Sequence, residues 1–194
     1  LFGTTTQNVL DSVWETLFIC RLGFPINTTK RMVLLLTRNA EYEIGFAHWV
    51  KRMVSLSKQA GLRMVLCCSA ATQKAFEKEV QKARSSVEIS FKRFEILEDF
   101  QQLSRDISSS DLIVAVSARK GTISYHSYME SMAARLVKNF PKSNFILLYP
   151  EQTQAEFLEA GMQQEDLVLT PIQEQIDNIT RLSKAVKKIF KRRG

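Results

Sequence analysis

RMVLLLT at residues 31–37 and LIVAVS at residues 112–117 are unbroken apolar runs that show no alternation of polar and apolar positions. A strand with one wet face alternates with a period of two, whereas a strand covered on both faces does not, so these runs read as strands buried inside a parallel sheet. LRMVLCC at 62–68 and FILLY at 145–149 have the same character, while VEISFKRF at 87–94 alternates and reads as a strand nearer an edge. Between the first two runs, Phe46, Trp49, Met53, Leu56 and Ala60 recur at helical spacing, and Gly61 follows as a C-terminal stop. Further helical stretches are read at 70–83, 97–107 and 128–139, the last halted by Pro141. The alternation predicts an α/β fold: a doubly wound, mostly parallel five-stranded sheet of Rossmann-like type, with ligands expected at the carboxyl ends of the strands.

Outside this block the pattern changes. A helix-like stretch at 4–15 leads into a short strand at 17–20 and a linker, so residues 1–29 read as the C-terminal remnant of a preceding domain. Residues 30–152 form the α/β domain, and 153–194 an extension of helices. In that extension Ile172, Ile176, Ile179, Leu182, Val186 and Ile189 share one stripe behind Pro171. The apolar face of Val9, Leu10, Val13, Trp14, Leu17 and Phe18 lacks its original cover in such an arrangement, which predicts contact with another copy, as in a homodimer, or with the missing domain.

Charge and composition narrow the function. The chain has 194 residues and a formal charge of +7, but Arg181, Lys184, Lys187, Lys188, Lys191, Arg192 and Arg193 supply all of the excess. Basicity confined to a tail, with no recognition fold or stacking aromatics beside it, does not predict nucleic-acid binding. Three readings stand for the tail: neutralisation of a helix dipole, attraction of Lys187, Lys188, Lys191, Arg192 and Arg193 to an anionic lipid surface, and nucleic acid, the least supported. No stretch approaches the roughly twenty apolar residues of a membrane span. The three cysteines, Cys20, Cys67 and Cys68, lie in apolar runs and read as buried packing thiols in a reducing compartment. With no initiator Met or signal segment, Leu1 is expected to be a cut within a longer polypeptide.

A resemblance gives the chain a context. LFGTTTQNVLDSVWETLFICR at 1–21 resembles the last helix and strand of a universal-stress-protein domain, and its Gly3-Thr4 matches the end of that family's nucleotide signature. INTTKRMVLLLTRNAEYEIGF at 26–46 and DLIVAVSARKGTISYHSYMESMAARLVKNFPKSNFILLYPEQ at 111–152 resemble the second such half in the cytoplasmic tail of bacterial cation:proton antiporters of the Na+/H+ or Kef-like type. The segment SARKGTISYH at 117–126 is the most specific element. The resemblance implies a non-catalytic regulatory or assembly domain on the cytoplasmic side of the inner membrane, partnered by the antiporter domain of the same polypeptide. The alternative is a universal-stress-type module that binds an adenine nucleotide.

The candidate site residues are weighed on chemistry. Ser117, Arg119, Lys120, Gly121 and Thr122 follow a buried strand, where two cations and a glycine backbone suit a phosphate; a structural loop is the competing reading. Gly3 and Thr4 read equally as a phosphate-loop remnant or a helix cap. Neither GxxxxGK[ST] nor GxGxxG occurs, and no carboxylate follows Thr37 until Glu41, where universal-stress domains often place an acid against adenine. His126, in the loop Tyr125-His126-Ser127-Tyr128, is the residue type that serves as a pH sensor, while His48 reads as a surface side chain beside Trp49. No metal set, nucleophile elbow or paired carboxylates can be picked out, so neither enzymatic activity nor a metal cofactor is expected.

Overall fold

The computed structural model describes residues 8–10, 12–94, 103 and 105–153. All lie within one compact unit, Leu1–Phe157, and the remainder of the chain, Leu158–Gly194, forms a second unit outside the described residues. The helical extension expected at 153–194 therefore also falls outside beyond residue 153, as does most of the helix expected at 97–107.

Six strands form one sheet: β1 (Leu17–Arg21), β2 (Arg31–Leu35), β3 (Arg63–Cys68), β4 (Ile89–Arg93), β5 (Asp111–Val116) and β6 (Asn144–Tyr149). Their order is β1-β6-β5-β2-β3-β4. The four strands read from apolar runs are parallel, and VEISFKRF joins them as the parallel edge strand β4, as its alternation predicts. The strand count differs at β1. It is the sixth member of the sheet, antiparallel to β6 with Leu17 opposite Tyr149 and Arg21 opposite Phe145. Its short, half-exposed sequence LFICR carries no long-range signal of that pairing, because pairing is decided by the partner's free edge.

Among the described residues three helices cover the sheet: α1 (Phe46–Ala60), α2 (Ala70–Lys82) and α3 (Met132–Asn139). On one face Met32, Leu34, Met64, Leu66, Leu112 and Val114 pack with Phe46, Trp49, Met53 and Phe76 from α1 and α2. On the other, Val33, Leu35, Ile113, Ala115, Phe145 and Leu147 pack with Met132, Leu136 and Phe140. Both faces are thus apolar, which is why the central runs do not alternate. α1 follows a 3-10 turn at Ala40–Tyr42, and α3 is preceded by another at Ser127–Ser131. α1 ends on Gly61 at φ 64°, with Leu62 N–H donating to Ser57 O at 2.9 Å, a motif that satisfies carbonyls the helix leaves open. α2 begins at Ser69, whose hydroxyl accepts from Thr72 N–H at 3.2 Å.

Polar contacts fix the amino edge. Arg31 Nε and Nη2 donate to the two Asp111 carboxylate oxygens at 2.8 and 2.9 Å, and Ser108 N–H donates to the same carboxylate at 2.7 Å. The buried Asn144 accepts from Gly23 and Phe24 N–H at 2.8 and 3.1 Å and donates to Phe24 O at 2.9 Å, tying the chain after β1 to the start of β6. Cys67 and Cys68 are buried as expected, but Cys20 is exposed on β1. The reading as a packing thiol fails there because an edge strand has cover on one face only. Among the described residues no helix is long and apolar enough to cross a membrane.

Candidate functional site at the carboxyl edge of the sheet

Chain order reverses between β2 and β5: β3 and β4 continue to one side of β2, β5 and β6 to the other. The crevice outside the carboxyl ends of β2 and β5 is therefore the switch point where open α/β sheets place ligands. Extending the register of Leu35 with Ala115 brings Thr37 and Ser117 opposite one another there, and Ala115 with Leu147 brings Ser117 beside Tyr149. All three share the α3 face, one layer beyond Leu35, Ala115 and Leu147. Thr37 is 2% exposed and Ser117 1%. Burial raises the Tyr149 phenol pKa, and Ser117 and the nearby Arg119 charge draw it partly back. The Ser117 hydroxyl is nevertheless in hydrogen-bonding geometry with no protein group, and neither is that of Thr37.

The loop after β5 uses its polar side chains inwardly. Arg119, 8% exposed, donates from Nη1 to Leu10 O at 2.8 Å and to Val13 O, and from Nη2 to Glu15 O at 2.8 Å. The guanidinium read as a phosphate ligand therefore fastens the segment that leads into β1. Lys120 Nζ pairs with Glu130 Oε1 at 3.0 Å, and Tyr125 OH donates to the same oxygen at 2.7 Å. Those two partners hold the Glu130 carboxyl below its ordinary range, the tyrosine hydrogen bond first, and burial with the same contact pushes the Tyr125 phenol up to about 12. Gly121 takes φ 86°, and Thr122 turns back on Arg119, its N–H and hydroxyl both donating to Arg119 O at 3.2 and 3.0 Å. His126 is exposed and stacks on Tyr128 with ring centroids 5.5 Å apart.

Two further residues close the crevice and were not legible beforehand. The buried Glu43 carboxylate, from the loop after β2, accepts from Ser124 N–H at 2.9 Å and from the Ser124 hydroxyl, so one side chain bridges the two switch-point loops. Beside it, a Cβ on Gly45 would meet Glu151 Cγ at 2.8 Å and Glu151 N at 3.0 Å, so the chain leaving β6 runs against the start of α1. Glu41, the acid nearest the place where adenine would be met, accepts instead from Thr72 Oγ1 at 2.7 Å. His48 is exposed, with Nδ1 3.3 Å from Glu151 Oε2 and Nε2 3.3 Å from Arg52 Nε. No pattern marks Glu43 in the sequence, since a single acid among surface acids has no periodicity.

Gly3 and Thr4 lie outside the described residues, as do Lys187, Lys188, Lys191, Arg192 and Arg193. Among the described residues no group of three or more His, Cys, Asp or Glu side chains could hold a metal ion. No protein-family model matches the chain, and no curated protein matches it.

Proposed function

We propose that the chain is a non-catalytic regulatory or assembly domain of a bacterial cation:proton antiporter, on the cytoplasmic side of the inner membrane, with exchange carried by a membrane domain of the same polypeptide. The observation that carries the reading is the use to which the switch-point loop puts its side chains. Arg119 holds the N-terminal segment, Ser124 holds the loop after β2, and Lys120 holds the 3-10 turn before α3 at Glu130. A loop that fastens three elements together suits transmission of movement, and the resemblance of 117–126 to the antiporter tails supplies the context. Universal-stress-type nucleotide binding is the alternative, favoured by the position at the switch point.

By the same reading the exposed Val9, Trp14, Phe18, Leu22 and Phe24 serve contact between two copies, and the basic tail meets anionic lipid. The deciding experiment has two arms. The gene encoding the chain is read through its full coding sequence for a series of hydrophobic spans of roughly twenty residues. Cation-driven proton movement is then measured in inverted vesicles with and without residues 30–152. Spans, and exchange whose control is lost with the domain, are expected. A coding sequence without spans would overturn the proposal, and saturable binding of labelled ATP or AMP to the chain would favour the alternative.

A further inference from the structure

Hydrogen-bonding capacity left unused in the interior is concentrated at one end of the sheet. The Thr16 hydroxyl lies just before Leu17, which pairs with Tyr149; the Thr37 and Ser117 hydroxyls end β2 and β5; the Gln152 carboxamide nitrogen follows β6. All four are at the carboxyl edge, buried with no protein group in hydrogen-bonding geometry, although Ser117 lies near enough to Tyr149 to lower its phenol pKa. An unpartnered buried hydroxyl or amide is unfavourable, so a cluster of them marks a surface that closure has stripped of partners.

What lies across this edge is the segment 12–16 with the helical turn at 8–10 before it. β1 is antiparallel to β6, so its leading residues arrive beside the carboxyl ends of β5 and β6. Their attachment is polar: the three carbonyls of Leu10, Val13 and Glu15 converge on Arg119, and Gln152 N–H donates to Trp14 O at 2.9 Å. Val9 and Trp14 keep 40% of their surface exposed. A segment whose carbonyls are gathered on one guanidinium, over groups that gain partners when it lifts, is an element that local opening can free.

We propose that residues 12–16 are a strap across the carboxyl edge of the sheet, that Arg119 is its latch, and that release of the strap opens a crevice lined by Thr37, Ser117 and Gln152. The structure is the closed state. Hydroxyls and a carboxamide beneath the strap suit a small hydrogen-bonding occupant, ordered water included, and the device holds whether or not the chain serves an antiporter.

The test uses thiol labelling located by peptide mass spectrometry. Ser117→Cys places a reporter under the strap, and the buried Cys68 reports global opening in the same molecule. In the presence of Arg119→Ala, labelling at position 117 is expected to accelerate at least tenfold while Cys68 stays unreactive. Arg119→Lys, which keeps the charge but reaches fewer carbonyls, is expected to fall between and gives the comparison if the alanine variant does not accumulate folded. Labelling at 117 that is unchanged in both variants, or that rises only in parallel with Cys68, would overturn the proposal.

Discussion

Replacing Glu43 by alanine is expected to be more damaging than replacing the serine it holds. The carboxylate is buried and accepts two hydrogen bonds, from Ser124 N–H at 2.9 Å and from the Ser124 hydroxyl, and Ser124 is 1% exposed. Glu43→Ala removes a charged acceptor and leaves both donors buried; at about 1–3 kcal/mol for each stranded group, a loss of roughly 2–6 kcal/mol follows. Ser124→Ala removes one donor and leaves the carboxylate its backbone partner, so about 1–2 kcal/mol is expected. Glu43→Gln keeps an acceptor oxygen in place and should fall near 1 kcal/mol. The assay is urea unfolding followed by Trp fluorescence, for which the buried Trp49 is a reporter. The double variant should cost less than the two single losses combined, since the residues act as one unit. A Glu43→Ala loss under about 1 kcal/mol, or one smaller than that of Ser124→Ala, would refute the bridge as an energetic tie between β2 and β5.

At the opposite edge, Arg31→Met strands the Asp111 carboxylate, 2% exposed, with Ser108 N–H alone, whereas Asp111→Ala leaves an arginine that water can reach. About 2–4 kcal/mol against 1–2 is expected by denaturant titration, and equal losses would count against the asymmetry. Burial raises the Cys67 and Cys68 thiols from 9.0 to about 11 and about 12. Raised pKa values favour the folded state fully below the ordinary thiol range and lose that contribution as pH rises from about 9 toward those values. Cys68→Ala should therefore flatten the fall in stability above pH 9, and an unchanged slope would contradict it. In native protein one thiol, Cys20, should react promptly with a disulfide reagent and all three in urea; prompt reaction of Cys67 or Cys68 would mean that the core opens locally. For the tail, vesicles rich in anionic lipid should bind the protein at low salt and release it at high salt, and Gln at 187, 188, 191, 192 and 193 should abolish binding. Equal binding to neutral vesicles would leave the tail a solubilising end.

The parallel strands were legible because burial on both faces writes itself into each strand separately. Leu34 and Val114 need cover wherever their neighbours come from, so RMVLLLT and LIVAVS declare the architecture without naming the order. β1 was legible as a strand but not as part of this sheet, since its partner lies at the far end of the sequence. The site divides in the same way. SARKGT announces a loop after a buried strand, which fixes its position, but whether Arg119 faces a ligand or a carbonyl depends on what arrives from residues 10–15. Glu43 and Ser124 were invisible for the same reason: their meaning lies in a distance between two loops.

The antiparallel pairing of β1 with β6 also sets an order on synthesis. β1 leaves the ribosome ahead of every other strand, yet its partner is the last strand of the sheet to be made, roughly 130 residues later. At common elongation rates of about 5–20 residues per second, the LFICR segment waits on the order of ten seconds with its backbone unpaired. During that wait β2, β3 and β5 can already assemble their own parallel core, so β1 is a late recruit added to a nearly finished sheet. A nascent chain stalled before Asn144 should carry this segment as bait for chaperones, and one released beyond Tyr149 should not.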